Sequence, residues 1–253
     1  RGVIMSAASI IIIICGGVAW FTYRRIKQFP IIAIQGAFQR ADYQHALELL
    51  NGAGAEKLLS PLEKDRLLMK AYFMAGKKNE FLEQIAKIAH TQYKKGDPAS
   101  VLEPWYYHSL RCKHTEFANA YQQALHACAD EQTLQIADLA YQILLENSLH
   151  DITALDEYIC KIRSADFHAG LLYYLKGKLC FHENAIEEAL HAFDNALFNF
   201  ETAESYLFYD DAKQYIDTYG NSSYLHYGKA DVAIHTDIDM VERYRMVPKK
   251  DAK

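Results

Sequence analysis

The chain has 253 residues, 51% of them hydrophobic and 13% aromatic, enough for one packed domain or one elongated array plus a segment of another kind. With only 12 Gly and 5 Pro, the composition argues against an all-β or disordered chain and for helices. The formal charge of -5 is uneven: residues 1–28 carry Arg1, Arg24, Arg25 and Lys27 and no acid, leaving a net acidic body without a basic stripe, which excludes nucleic acid as a partner.

The first predicted element is the uncharged stretch from Gly2 to Tyr23, GVIMSAASIIIIICGGVAWFTY. At about 1.5 Å per helical residue it reaches roughly 33 Å, the depth of the hydrocarbon layer. Trp20 and Tyr23 stand where aromatic side chains occupy the lipid–water boundary, and Arg24, Arg25 and Lys27 follow at once. A secretory signal has its cations before the apolar run, so this reads as a single-pass anchor over residues 1–28 with the C-terminal body in the cytoplasm.

The body, residues 29–220, repeats. RADYQHALELL, KKNEFLEQIAKI, KHTEFANAYQQAL, LHDITALDEYI and ENAIEEALHAF each place an apolar residue just after a polar pair: Tyr43, Phe81, Phe117, Ile152 and Ile186. Three residues on stand Ala46, Gln84, Ala120, Leu155 and Ala189; seven on, Leu50, Ile88, Ala124, Ile159 and Phe193; ten on, Ala53, Thr91, Ala127, Ile162 and Ala196. Steps of three and four trace one helical face, with small residues where helices must approach closely. The segments between are helical too. SPLEKDRLLMKAYFMAG opens with Ser60 as cap, Pro61 in the first turn and Glu63 three after the cap, and ends at Gly76. DPASVLEPWYYHSLRC starts from Asp97, ADFHAGLLYYLKGKLCF supplies the first helix of the last pair, and TAESYLFYDDAKQYIDTYG reads as a capping helix.

A helix hairpin recurring every 34 to 38 residues resembles the tetratricopeptide (TPR) repeat family. The last unit carries the resemblance best, with Tyr173, Gly177, Ala189, Phe193 and Ala196 at the signature positions. The other units depart from it, with Gln84 and Thr91, or Leu155 and Ile162, where the family prefers Ala. The expected fold is therefore all-α: a transmembrane helix, then an α-solenoid of about five TPR-like hairpins.

Little in the chain points to chemistry. CFHENAIEEALHAFDNAL brings Cys180, His182 and His191 together, but the two histidines are nine apart and fall on opposite sides of a helix. A zinc helix needs them four apart, so no metal site is expected. No GxGxxG, GxxxxGK[ST] or GxSxG occurs, and no acid–base pair can be named; no catalytic residue, cofactor or small-molecule substrate is expected. The five cysteines, Cys15, Cys112, Cys128, Cys160 and Cys180, form no CxxC and read as small buried thiols of a reducing compartment. Asn221-Ser222-Ser223 is formally a glycosylation sequon, read as chance in a cytoplasmic domain.

Residues 221–253 break the helical period. Val232, Ile234, Thr236, Ile238 and Met240 alternate with polar neighbours as in a strand, which either packs along the solenoid or adds to a partner's sheet.

A solenoid exposes a continuous concave surface suited to peptides and helices. The resemblance implies a membrane-anchored, non-enzymatic scaffold that holds partner proteins at the cytoplasmic face of a membrane complex, such as bacterial inner-membrane machinery for envelope biogenesis, polysaccharide export or secretion. The partner-binding residues expected from that register are Met69, Phe73, Trp105, Tyr174, Lys178 and Phe181, with Ser109, Leu144 and Asn147 at further groove positions. The alternative for Trp105 and Tyr174 is packing between hairpins. The alternatives for function are an adaptor for chaperone tails, for which the register supplies no basic-and-amide clamp, and a metal-dependent enzyme.

Overall fold

The computed structural model describes residues 29–148, 152–162 and 166–220, with the backbone alone at Ala154. Among these residues all regular structure is helical: α1 (29–39), α2 (Tyr43–Asn51), α3 (Ala53–Leu58), α4 (Pro61–Met74), α5 (Lys78–His90), α6 (Pro98–Arg111), α7 (Thr115–Cys128), α8 (Glu131–Leu144), α9 (Ile152–Lys161), α10 (Phe167–His182), α11 (Ile186–Thr202) and α12 (Tyr209–Tyr219). None of these helices is long and apolar enough to cross a membrane. The expected span at residues 2–23, the sequon and the alternating stretch after Gly220 lie outside the described residues.

A repeating turn sets the architecture. Ala41, Gly76, Lys113, Asn147 and Asn184 all have positive φ, between 50° and 69°, and follow one another at 35, 37, 34 and 37 residues. At four of these sites the backbone closes the same way. The Asp42, Lys77, His114 and Ala185 amides donate five residues back to Ala37, Tyr72, Ser109 and Cys180, while the left-handed residue donates to Phe38, Phe73, Leu110 and Phe181. This pairing of bonds satisfies the last carbonyls of the leading helix and turns the chain into the next one. Around Asn147 the pattern is altered, with Ser148 donating to Gln142.

The leading helices start differently, from side-chain caps. Ser60 Oγ accepts the Glu63 amide, Asp97 that of Ala99, Asp130 that of Thr133 and Asp166 that of Ala169. Each cap satisfies an orphan donor at the helix start. The second helices α5, α7 and α11 begin directly from the turn without a side-chain cap.

Packing divides the chain into two units. The first holds the described residues up to Ser109 and His114–Leu134, the second Leu110–Lys113 and the described residues from Gln135 on. In the first unit Ile34, Ala37 and Phe38 of α1 meet Ala46, Leu47 and Leu50 of α2 and Leu68 and Ala71 of α4. Around Phe81 a ring cluster gathers Phe73, Trp105, Phe117 and Tyr121 from α4, α6 and α7, at centroid distances of 5.2 to 6.4 Å.

In the second unit α10 and α11 pack through glycine. Gly170 and Gly177 lie two turns apart on α10 and receive the rings of Phe200 and Phe193 of α11, which have no exposed surface. With no Cβ on α10, the two backbones come close enough for the rings to fill the gap. The short α12 packs back on α11.

The helical face expected at the third and seventh positions is largely buried, through Ala46, Leu155, Ala189, Leu50, Ile88 and Phe193. The tenth position is buried only in the last pair, at Ala196; Ala53 lies beyond α2 and is exposed, Thr91 lies beyond α5, and Ala127 is exposed in the last turn of α7. The cysteines also differ from expectation. Among the described residues only Cys180 is a buried cysteine; Cys128 is intermediate, and Cys112 and Cys160 are exposed. Both exposed thiols sit in the last turn of a helix or just beyond it, where the packing face has run out.

Candidate functional site

Counting back from the positive-φ residue gives a common register for all five turns. The seventh residue before it is Ile34, Met69, Tyr106, Ala140 and Gly177, and every one is buried. Met69 therefore occupies a core position. It has no exposed surface, and its sulfur accepts the Tyr121 hydroxyl at 3.8 Å. Burial also pushes that hydroxyl far above its ordinary range, so it stays a neutral donor. Phe73 and Trp105 are half-buried and pack edge-on at 5.3 Å within the cluster around Phe81. The water-exposed apolar row expected from the sequence thus does not run through Met69.

Tyr174 is only 4% exposed, so it too is not a free surface residue. Its ring packs on Phe193 and on Phe208, at 5.8 and 5.0 Å. Its hydroxyl is held protonated by burial first, then by the negative charge of Asp211. Lys178 donates to the Tyr215 hydroxyl at 2.8 Å and lies 5.0 Å from that ring's centre. Phe181 packs on Tyr215 and Tyr219, at 5.0 and 4.8 Å. The face of α10 expected to greet a partner is therefore largely covered by α12.

Beside α12 a cleft remains within the second unit, of about 420 Å³. Its floor is Tyr174, Ile143 and Phe208, and its walls carry Arg111, Lys113, Asn147, Lys178, Gln214 and Tyr215. Four of the groove positions read from the sequence, Leu144, Asn147, Tyr174 and Lys178, come together here. Arg111 grips Asp211 in a fork, Nε to Oδ2 at 3.0 Å and Nη2 to Oδ1 at 3.1 Å. That two-point geometry fixes the end of α6 to the start of α12.

Arg111, Lys113 and Gln214 were not among the residues expected. Arg111 ends α6 and Lys113 is the turn residue after it, while Gln214 belongs to α12, which the sequence marks only as a cap. Counting from the turn residue instead of from the start of the second helix would have placed Lys113 in line with Asn147, since both are turn residues.

The first unit has a second polar recess of about 370 Å³, centred on Asp65. Asp65 is 5% exposed and takes Lys87 Nζ at 2.6 Å on one oxygen and Tyr93 Oη at 2.8 Å on the other. Gln84 donates to its carbonyl. Burial, then the bond and charge of Asp65, push the Tyr93 hydroxyl above its ordinary range. With both carboxylate oxygens already bonded, the arrangement clasps α4 to α5 and to the loop beyond it. Among the described residues no three His, Cys, Asp or Glu side chains converge on a metal-sized site.

No family model, curated protein or solved structure matches the chain.

Proposed function

We propose that the protein is a non-enzymatic scaffold of TPR-like helix hairpins, anchored in a membrane by residues 2–23, whose second unit holds a segment of a partner protein at the cytoplasmic face of a membrane complex. The observation that carries this reading is the cleft beside α12, where Leu144, Asn147, Tyr174 and Lys178 converge at the groove positions of successive hairpins. The periodic turns support the TPR-like reading as well, because a left-handed residue recurs at 34 to 37 residues from Ala41 to Asn184 whatever side chain occupies it. An apolar floor under ringed polar groups suits a peptide whose side chain buries while its backbone or charge is held at the rim.

The test uses Lys113→Glu combined with Gln214→Arg, two exposed positions of the rim. Full-length protein in mild detergent is used to capture co-resident membrane proteins, and its melting is followed in parallel. Loss of one specific partner with unchanged melting supports the cleft as the docking site. Unchanged capture of every partner refutes it.

A second reading has an observation in its favour. To Asn147 and Lys178 of the groove register the cleft adds Arg111, Lys113 and Gln214, further basic and amide groups that the register did not supply. Such a set suits the C-terminal carboxylate of a chaperone tail. Binding of an acidic peptide with a free C-terminus, lost on amidation, would favour the tail adaptor; equal binding of both forms would favour an internal segment.

A further inference from the structure

Phe29 and Ile32 are 69% and 53% exposed, two large apolar side chains together on a helix that also contributes to a core. They stand three apart on α1 and so share one side of it. The other side is occupied: Ile34, Ala37 and Phe38 are buried in the first unit, and the Pro30 ring faces Gly54 of α3. Nothing described in the first unit covers the Phe29–Ile32 side.

Chain length says what can cover it. Phe29 follows Tyr23, the end of the uncharged stretch, by six residues. Six residues span at most about 20 Å when extended and about 9 Å when helical. The headgroup layer of each leaflet is itself about 5–8 Å deep. A chain that leaves the hydrocarbon at Tyr23 therefore cannot carry Phe29 far from the near surface of the bilayer. Between the two lie Arg24, Arg25 and Lys27, cations that anionic headgroups attract.

We infer that Phe29 and Ile32 form a lipid-contact surface, inserted into the lipid–water boundary of the leaflet next to Arg24, Arg25 and Lys27, that seats the first unit directly against the membrane. The inference rests on the reading of residues 2–23 as an anchor and deepens it: the unit is not a tethered body but has a fixed face toward lipid. Apolar side chains flanked by cations are the composition that partitions into this boundary.

Hydroxyl-radical footprinting of the full chain in phosphatidylcholine–phosphatidylglycerol vesicles tests it without mutation. Phe198, 59% exposed on α11, is a reference of the same intrinsic reactivity. The expected result is that Phe29 and Ile32 are modified several-fold more slowly than their exposure implies, and Phe29 more slowly than Phe198. If Phe29 reacts as fast as Phe198 while residues 2–23 stay protected and the protein resists carbonate extraction, the lipid contact is overturned and the anchor stands. If carbonate releases the protein and residues 2–23 react, the anchor itself fails and the inference falls with it. Protection of Phe29 that vanishes on dilution to one chain per vesicle would assign the face to a second copy and equally overturn the lipid contact.

Discussion

Placing a methyl group on Gly177 is the sharpest probe of the α10–α11 contact. A Cβ built there lies 2.7 Å from Cδ1 and Cε1 of Phe193 and 2.9 Å from its Cζ. Carbon atoms in contact prefer about 3.5–4.0 Å, so the ring must withdraw by nearly 1 Å. It has nowhere to go: Phe193 is fully buried, stacked on Tyr215 at 4.6 Å on one side and tilted against Tyr174 at 5.8 Å. Overpacking of this kind costs about 1–3 kcal/mol, and a ring pinned from two sides belongs in the upper half of that range. Ala returns about 1 kcal/mol of helix propensity relative to Gly. The net expectation for Gly177→Ala is a loss of about 1–2 kcal/mol, read from urea unfolding of the detergent-solubilised chain by circular dichroism. Gly36→Ala is the control, since its added Cβ meets only the flexible end of Arg40, at 3.2 Å. It should be neutral or stabilising by up to about 1 kcal/mol. Combining Gly177→Ala with Phe193→Leu should cost less than the sum of the two changes, because the smaller side chain makes room. A Gly177→Ala protein as stable as the parent, or strict additivity in the double variant, would refute the reasoning.

Three further outcomes are expected. Ala189→Leu, at a position without exposed surface, should lower stability by about 1–3 kcal/mol, whereas the exposed neighbour Glu188→Leu should change it by less than about 0.5 kcal/mol; equal effects would mean that the helical register is wrong by one. Lys113→Gly should stabilise the chain by about 1 kcal/mol, measured by the same unfolding, because φ of 56° is costly for any residue with a Cβ. Stability should fall as pH rises above 9: burial, with the charge of Asp97, pushes the Cys128 thiol from the ordinary 9.0 up to about 11, so between those values the unfolded chain gives up a proton that the folded chain keeps. The stability is fully present below pH 9 and lost through pH 11, and a denaturation midpoint that stays flat over this range would contradict it.

The start of α4 was legible because three signals agreed there. Ser60, Pro61 and Glu63 mark the start of α4, and the structure caps Ser60 on the Glu63 amide. The period of the pairs was legible from Tyr43, Phe81, Phe117, Ile152 and Ile186. The faces were less so. The expected groove residues stand at different distances from their own turns: Met69 seven residues before Gly76, Tyr174 ten before Asn184. They therefore point in different directions around their helices, and a row read from them is not one row. The turns could have corrected this, but four of the five left-handed positions are filled by Ala, Lys or Asn. Without glycine to mark them, Ala41 and Lys113 look like ordinary helix residues. The Arg111–Asp211 fork was illegible for another reason: its partners are 100 residues apart, and nothing local in either segment announces the other.

The placement of α12 has a consequence for competition. Only a short link separates Thr202 at the end of α11 from Tyr209 at the start of α12. A helix tethered so closely faces its docking surface at an effective concentration in the millimolar range. Any outside segment that sought the same surface of Phe181, Lys178 and Tyr174 would have to outbid a resident that never diffuses away, and micromolar affinity for the bare surface would be diluted accordingly. A chain ending after Thr202 would show that latent affinity at full strength, at the cost of uncovering Phe181, Phe193 and Tyr174 to water.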